Sequence, residues 1–447
     1  MPEDPHHGSR GSDHPLGMVV ARRMLLPASP ADDADGKNDS GAAFIDLWRQ
    51  PKIPDPFVWP QADALASSER ELDAPVVDVG AAMRGDGAAG MRRAAEQVAA
   101  ACASHGLFQV TGHGLDPALA RAALDGAADF FRLPLATKQR ARRVPGKVTG
   151  FTAAHVDRFT ANLPWKETLS FGHRDHRTSG SHVVVDYFTS TLGSDFKPLG
   201  AVYQDYCEAM KRVSLAIMEL IGVSLGVGRS CYRDFFVDGC SIMRCNYYPP
   251  CPEPERTLGT GPHCDPSALT LLLQDGAVDG LQVLVDGEWR PVRPRPGALV
   301  VNIGDTFMAL SNGRYRSCLH RAVVHRERER RSLAFFLCPR DDRVVRPPPR
   351  LLAAREEEEG GPQHQQPRRY PDFTWADLAR FTQRHYRADA RTLDAFARWI
   401  GGGGATAHLC SGDVGVPGPS GQGPRDSVAS LLGCYSSAAA AAILYYY

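Results

Sequence analysis

The sequence predicts a mixed α/β (α+β) protein whose core is a double-stranded β-helix, or jelly roll, flanked by helices. From Ser241 onward, short apolar runs alternate with turn signals such as Asp286-Gly287 and Asn312-Gly313, a pattern typical of antiparallel strands. Before them, apolar residues recur at three- and four-residue steps from Leu199 to Ile221, which predicts a long helix along the outside of the barrel. Residues 70–145 are mostly helical in pattern and are expected to brace one side of it.

The N-terminal half has the signals of two strands, three helices and a third strand. Asp116 is the expected N-cap of the second helix, because it stands directly before a proline. In chain order the predicted elements are strand Pro75–Val79, helix Met91–Ser104, strand Leu107–Val110, helix Pro117–Arg132, helix Leu135–Arg143 and strand Thr168–Phe171.

The second half reads as a series of strands followed by a helical end. Two strands separated by Asp286-Gly287 are expected to form a hairpin. Thr374 is a predicted N-cap at the start of the helical end. The predicted elements are strands Leu281–Val285, Glu288–Val292, Ala298–Ile303, Cys318–Val324 and Ser332–Leu337, then a helical stretch from Tyr370 to Trp399.

Composition excludes several classes of function. Lys plus Arg equals Asp plus Glu at 51 each in 447 residues, so no overall charge attracts nucleic acid or an anionic membrane. The basic run Lys138–Arg143 is interpreted as a solvated helix face. Eleven cysteines lack metal-type Cys-x-x-Cys spacing, and neither a signal-peptide core nor a membrane-length apolar stretch is found. We expect a monomeric, cytoplasmic protein with no nucleic-acid or membrane partner.

Polar residues that suit a metal centre stand among the predicted strands. His263 and Asp265 are two positions apart, so on a strand both side chains point to one face and bind one ion. His320, fifty-seven positions after His263, is expected to lie on a neighbouring strand. Two imidazoles and one carboxylate are the ligands of a non-haem Fe(II) facial triad, which leaves adjacent coordination positions open. Arg330 and Ser332, again two apart, suit a distal carboxylate.

Other residues of the same types fit this role less well. His155-Val-Asp157 and His173-Arg-Asp175 have no second histidine at a suitable distance. The other candidate histidine ligands are His325, which stands in a charged run, and His113, which stands in a glycine-flanked turn. The alternatives to Arg330 are Arg328 and Arg331. The acids Asp275 and Asp305 stand at strand ends and are interpreted as turn formers.

The chain resembles the plant 2-oxoglutarate/Fe(II)-dependent dioxygenases and, more narrowly, the gibberellin 20-oxidases, over roughly residues 44–400. Four motifs carry the resemblance: Asn246-Tyr-Tyr-Pro-Pro-Cys-Pro-Glu-Pro, His263-Cys-Asp-Pro, Arg331-Ser-Leu-Ala-Phe-Phe-Leu-Cys-Pro and Leu163-Pro-Trp-Lys-Glu-Thr168. The resemblance implies Fe(II) as cofactor, 2-oxoglutarate and O2 as co-substrates, and ascorbate as a supporting reductant.

The resemblance also implies roles for single residues. Arg330 and Ser332 match the family's Arg-x-Ser, while Tyr248 hydrogen-bonds the co-substrate and Asn246 lines the metal pocket. The substrate implied is a C20 gibberellin, oxidised in steps at carbon 20 until that carbon is lost. Lys166 is the hypothetical cation for its carboxylate and Trp165 a further substrate contact, although a proline turn leading into a strand explains their motif equally well.

Two kinds of alternative stay open at this point. The alternatives within the class are a gibberellin 3-oxidase, a gibberellin 2-oxidase and a flavonoid oxygenase. From another class, it is a non-catalytic, metal-containing cupin-like binding protein, although a structural metal site has no need of the dicarboxylate clamp at Arg330 and Ser332.

The expected domain organisation follows from these patterns. It comprises a disordered tail (1–43), an N-terminal non-haem dioxygenase region (44–190), a bracing helix with its connector (191–240), the jelly-roll core (241–342), a mobile insertion (343–369), C-terminal helices (370–400) and an atypical, disordered tail (401–447).

Overall fold

Two facing, mainly antiparallel sheets form the centre of the protein. The computed structural model describes residues 45–60, 67–80, 88–156, 161–174, 182–276, 278–353, 367–385 and 391–401. The predicted tail 1–43, the predicted tail 401–447 apart from Gly401, and residues 354–366 of the predicted insertion therefore lie outside the described residues.

The larger sheet has eight strands in the order β1-β2-β10-β7-β12-β5-β4-β3. All neighbours in it are antiparallel except β1 and β2. Its strands are β1 (Val76–Asp78), β2 (Leu107–Thr111), β3 (Gly150–Ala153), β4 (Glu167–His173), β5 (Ser241–Tyr248), β7 (Leu269–Gln274), β10 (Leu299–Ile303) and β12 (Arg330–Leu337).

The smaller sheet has four strands in the order β6-β11-β8-β9 and completes the jelly roll. These strands are β6 (Thr260–His263), β8 (Leu281–Val285), β9 (Glu288–Pro291) and β11 (His320–Ala322). The predicted hairpin is confirmed, because Val285 pairs with Glu288 and both Asp286 and Gly287 have positive φ, as a two-residue turn requires. A separate pair joins β13 (Val344–Val345) to β14 (Phe373–Thr374).

The N-terminal region contributes more to the core than the expected helical brace. Strands β1 to β4 extend the larger sheet on both sides, and β2 pairs with β10 through Val110 and Leu299. Strand β4 pairs with β5 across the predicted boundaries at residues 190 and 241. The predicted jelly roll is confirmed, and its larger sheet is built by both halves of the chain; the domain boundaries stay predictions.

Helices cover the outside of the larger sheet. The long predicted helix runs over 28 residues and packs against four other helices, with Tyr203, Met210 and Ile217 buried. The helices are α1 (Ala88–Ser104), α2 (Pro117–Phe131), α3 (Leu135–Gln139), α4 (Val183–Leu192), α5 (Lys197–Ser224), α6 (Ser230–Phe236), α7 (Asp305–Leu310), α8 (Pro349–Leu352), α9 (Trp375–His385) and α10 (Thr392–Gly401).

Two predicted helix caps are present. The carboxylate of Asp116 accepts a hydrogen bond from the backbone N–H of Ala118 at 2.8 Å. Thr374 and Asp377 form a reciprocal pair, in which each side chain accepts from the backbone N–H of the other. These caps satisfy amide groups that the first turn of a helix leaves without partners.

The prediction of a solvated basic face over Lys138–Arg143 holds for Arg140 and Arg142, which are exposed, and is wrong for Lys138 and Arg143. The helix ends at Gln139, and both Lys138 and Arg143 are buried. Lys138 forms an ion pair with Glu167, with Nζ and Oε2 2.7 Å apart, and Arg143 Nη2 lies 3.1 Å from Nδ1 of His155. Sequence alone gave no partner for these charges, because Glu167 and His155 come from a later part of the chain.

None of the described helices is long and apolar enough to cross a membrane. The nine cysteines within the described residues are all free thiols.

Candidate metal centre and co-substrate pocket

Three side chains from two strands of the smaller sheet and the loop after β6 converge in the barrel. His263 ends β6 and His320 begins β11, and the two are register partners with ring centroids 4.1 Å apart. Asp265 lies just beyond β6, with its carboxylate oxygens 3.7 Å from Nε2 of His263 and 3.9 Å from Nε2 of His320. Their three ligand atoms lie within 4.8 Å of one another.

Hydrogen bonds hold each of these side chains by its other polar atom. Nδ1 of His263 lies 2.9 Å from the carbonyl oxygen of Gly261, and Nδ1 of His320 lies 3.0 Å from that of Cys318. A proton on Nδ1 satisfies both contacts and leaves Nε2 as an acceptor for a metal. Oδ2 of Asp265 accepts from the Thr270 hydroxyl at 2.5 Å.

The electrostatics of the cluster favour metal ligation. Burial lowers the pKa of His263 to about 3, and the neighbouring His320 acts in the same direction. The imidazole of His263 is therefore neutral at physiological pH, as coordination requires. Two imidazoles, one buried carboxylate and a carbonyl acceptor behind each ring fit Fe(II).

A buried guanidinium lies in the same pocket, which has a volume of about 60 Å³. Arg330 on β12 is 2% exposed, and its Nη2 donates to Oε1 of Gln274 at 2.9 Å. Its Nε is buried and has no hydrogen-bond partner within the described part of the chain. A buried donor without a partner is costly, so this atom is suited to receive a carboxylate from a bound molecule.

Strands β5 and β12 bring the other predicted co-substrate residues to this pocket. Arg330 is the register partner of Tyr248, and its guanidinium lies 5.1 Å from the centre of the Tyr248 ring. Ser332 is the register partner of Asn246, whose Nδ2 donates to the Ser332 hydroxyl at 3.3 Å. All four residues line the pocket that holds the metal ligands.

The two predicted substrate residues occupy different positions. Lys166 lines the pocket and donates from Nζ to the Thr260 hydroxyl at 2.9 Å, and its burial holds the pKa of its ammonium well below the usual range. Trp165 is not among the residues that line this pocket. It packs against Phe57, and its indole N–H donates to the carbonyl oxygen of Pro250. Contact of Trp165 with substrate stays a prediction.

The rejected candidates lie elsewhere. His113 contacts the carbonyl oxygen of Gly297, and Nδ1 of His325 accepts from the backbone N–H groups of Glu327 and Arg328. Within the described residues, only His263, Asp265 and His320 cluster as metal ligands; Asp157 and Asp175 lie outside that part of the chain.

The flanking acids and arginines are also outside the ligand set. Asp275 pairs with Arg331 at 2.8 Å. Asp305 begins α7, where its backbone N–H donates to the carbonyl oxygen of Asp265 at 2.8 Å. Neither acid is among the residues that line the metal pocket.

Several pocket residues escaped the sequence analysis. Arg244 continues the alternation of Asn246 and Tyr248 along β5. Its position two residues before Asn246 is therefore a signal in the sequence that its side chain shares their face of the strand. Thr270 and Gln274 have no such signal, because their roles depend on the pairing of β7 with β12.

Fold and site together define an Fe(II)- and 2-oxoglutarate-dependent oxygenase. Residues 239–339 match the family model of the 2OG-Fe(II) oxygenase superfamily. Residues 74–186 match the model described as the non-haem dioxygenase in morphine synthesis N-terminal region. Fe(II) and 2-oxoglutarate are accordingly the cofactor and co-substrate of this class.

Sequence relatives narrow the class further. The chain is 68% identical over 374 residues to gibberellin 20 oxidase 2 of Oryza sativa subsp. indica, covering 83% of this chain and 92% of that protein. It is 50% identical over 351 residues to gibberellin 20 oxidase 2 of Arabidopsis thaliana, covering 78% and 88%. The chain belongs to the gibberellin 20 oxidase family, so the 3-oxidase, 2-oxidase, flavonoid and binding-protein alternatives are not favoured.

Solved structures of the same fold agree. JOX2 in complex with 2OG, Fe and JA superposes with a TM-score of 0.64 at 29% identity, covering 76% of this chain and 94% of that one. The rice dioxygenase for auxin oxidation superposes with a TM-score of 0.58 at 28% identity, covering 73% and 99%.

Proposed function

We propose that this chain oxidises carbon 20 of C20 gibberellins in successive steps, through alcohol and aldehyde, to C19 gibberellins. The observation that carries the proposal is a single buried pocket lined by His263, Asp265, His320 and Arg330. A metal triad and a dicarboxylate clamp in one pocket suit an Fe(II) enzyme that consumes 2-oxoglutarate.

His263, Asp265 and His320 would hold the iron through Nε2, a carboxylate oxygen and Nε2. When bound, Fe(II) with 2-oxoglutarate and O2 supplies an oxidant able to remove a hydrogen atom from an unactivated C–H bond, with succinate and CO2 as co-products. The backbone carbonyls behind the two rings fix their orientation, and the Thr270 hydroxyl holds the Asp265 carboxylate.

Arg330 and Ser332 would bind the carboxylate of 2-oxoglutarate that lies far from the metal. The buried Nε of Arg330 is the donor best supported for this, because nothing in the described part of the chain accepts from it. Tyr248 and Asn246 frame the clamp from the neighbouring strand. Enclosure of these groups keeps water from the reacting carbon, which limits wasteful turnover of the oxidant.

We further propose O2 as the second co-substrate, ascorbate as a supporting reductant, a monomeric protein and a cytoplasmic location. The free state of the nine described cysteines supports a reducing compartment. The pairing of Lys166 with a substrate carboxylate stays a prediction. The position of Lys166 in the pocket wall supports it, whereas the burial of the side chain counts against it.

The test is a reaction with 2-oxoglutarate and O2 in excess, because each oxidation step consumes one molecule of each. Purified protein receives Fe(II) and 2-oxoglutarate without oxygen, then oxygen with a C20 gibberellin, and products are identified by mass spectrometry. Alcohol, aldehyde and C19 products, absent in His263→Ala, are expected. Succinate without an oxidised gibberellin would retain the oxygenase and reject the substrate.

A further inference from the structure

A larger cavity adjoins the metal pocket. It has a volume of about 430 Å³ and an apolar wall that includes Val183, Ile242, Trp375 and Ala379. Pockets that enclose small organic ligands span about 300–1,000 Å³, so this cavity suits a polycyclic molecule. Helix α9, which supplies Trp375 and Ala379, forms one side of it.

Two side chains, Arg244 and Phe336, line both this cavity and the metal pocket. They lie on the paired strands β5 and β12, and the guanidinium of Arg244 lies 5.3 Å from the centre of the Phe336 ring. Nε of Arg244 donates to the Ser170 hydroxyl at 3.0 Å. The cation–π contact and the hydrogen bond hold a planar cation where the two cavities meet.

The other cations near the cavity are less suited to a substrate carboxylate. The Arg174 side chain is 66% exposed and lies 4.0 Å from Asp341, so water and a counter-charge weaken its field. Lys166 lines only the metal pocket, where burial and the charge of Arg244 favour its neutral form. A guanidinium keeps its charge and presents parallel N–H groups to a carboxylate.

We infer that Arg244, rather than Lys166, binds a carboxylate of the gibberellin, whose apolar rings occupy the cavity bounded by α9. Because Arg244 lines both cavities, this contact places the attached ring at the opening towards the metal ligands. Arg244 is then a specificity-determining residue that selects an acid over a neutral terpenoid of the same shape. This inference rests on the proposed function.

The experiment compares a C20 gibberellin with its methyl ester as substrates. The wild-type protein should prefer the acid in kcat/KM, and Arg244→Gln should lose that preference and raise KM for the acid about 10- to 100-fold. The preference for the acid over the ester is the readout that a merely structural role of Arg244 would not change. Arg293→Gln is the matched control, because Arg293 is 60% exposed and lines neither cavity.

Each other outcome overturns the inference in a distinct way. Arg244→Gln with an unchanged preference for the acid rejects it. If Lys166→Met loses the preference for the acid and Arg244→Gln keeps it, the contact to the carboxylate belongs to Lys166. Wild-type protein that turns over 2-oxoglutarate but oxidises no gibberellin rejects the proposed substrate as well. If Arg244→Gln does not fold, Arg244→Met decides, since it removes the charge and keeps much of the side-chain length, and an unchanged preference for the acid rejects the role.

Discussion

Arg330 and Arg331 are adjacent on β12, and their guanidinium groups lie on opposite faces of the sheet. Arg330 donates to Gln274 inside the metal pocket, whereas Arg331 donates to Asp275 at 2.8 Å and lies outside that pocket. The alternation of a strand therefore separates a ligand-binding arginine from a structural one at consecutive positions.

This pair provides a matched test of co-substrate binding. Arg330→Lys should raise KM for 2-oxoglutarate about 10- to 100-fold, because an ammonium cannot reproduce a two-pronged carboxylate contact. Arg331→Lys, the same substitution one residue on, should leave KM for 2-oxoglutarate within about threefold. Steady-state succinate formation measures both constants, and equal effects at the two positions would contradict the assignment.

The hydroxyl of Thr270 should tune metal affinity from behind Asp265. Thr270→Val removes the 2.5 Å hydrogen bond to Oδ2 while keeping the shape of the side chain. Loss of such a supporting contact weakens metal binding about 10- to 100-fold, and Fe(II) titration under nitrogen measures this. Thr189→Val, which removes a local bond within α4, should bind Fe(II) as wild type does. An unaltered Fe(II) affinity in Thr270→Val would show that Asp265 needs no such support.

Gly304 allows the loop carrying Asp265 to pack closely against α7. A Cβ at Gly304 would lie 2.0 Å from the carbonyl oxygen of Ser267 and 2.8 Å from that of Asp265. Gly304→Ala should therefore reduce the free energy of unfolding by about 1–3 kcal/mol and weaken Fe(II) binding. Gly276→Ala meets nothing within 4 Å and is the control. Denaturant melts and Fe(II) titration together test this, and equal behaviour of the two variants would refute the packing argument.

The buried pair of Lys138 and Glu167 should make stability depend on pH. Burial raises the pKa of Glu167, and Lys138 opposes that rise. In Lys138→Met the opposition is lost, so the folded-state pKa of Glu167 moves further above its unfolded value. A carboxyl group whose pKa is higher in the folded than in the unfolded state stabilises the fold at pH values below the unfolded-state pKa. This contribution to the unfolding free energy is lost as the pH rises through the folded-state pKa.

Lys138→Met should therefore cost about 3–5 kcal/mol of unfolding free energy at pH 7, and less as the pH falls towards 4.5, because Glu167 of the folded variant is then protonated and no longer an unpaired buried charge. Urea melts at pH 7 and pH 5 measure the difference. Lys147→Met, at an exposed position, should change stability by no more than about 0.5 kcal/mol at either pH. A penalty for Lys138→Met that does not change with pH would rule out an ionised Glu167 as its source.

Local patterns predicted much of the site, because its residues come from short strands with period-two spacing. Arg330 and Ser332 lie on β12 opposite Tyr248 and Asn246, as their alternation indicates. The reasoning for His263 and Asp265 was only partly correct. They converge, but β6 ends at His263, so the loop rather than the strand positions Asp265.

Features that depend on distant parts of the chain had no local signal. The burial of Lys138 depends on Glu167, which reaches it through the pairing of β3 with β4. The position of β2 in the larger sheet depends on β10, and nothing near Leu107 indicates that pairing. Amphipathic periodicity reports which face of an element is buried, but it does not identify the element that covers it.

The pairing of β2 with β10 also bears on how the protein is made. Val110 and its partner Leu299 are separated by about 190 positions. At translation rates of about 5–20 residues per second, β2 leaves the ribosome roughly 10 to 40 seconds before β10 exists. During that interval the nascent chain exposes an unpaired, apolar strand edge, which is a template for aggregation. Biosynthesis of this fold is therefore expected to depend on chaperones that protect the N-terminal half until the last strands emerge.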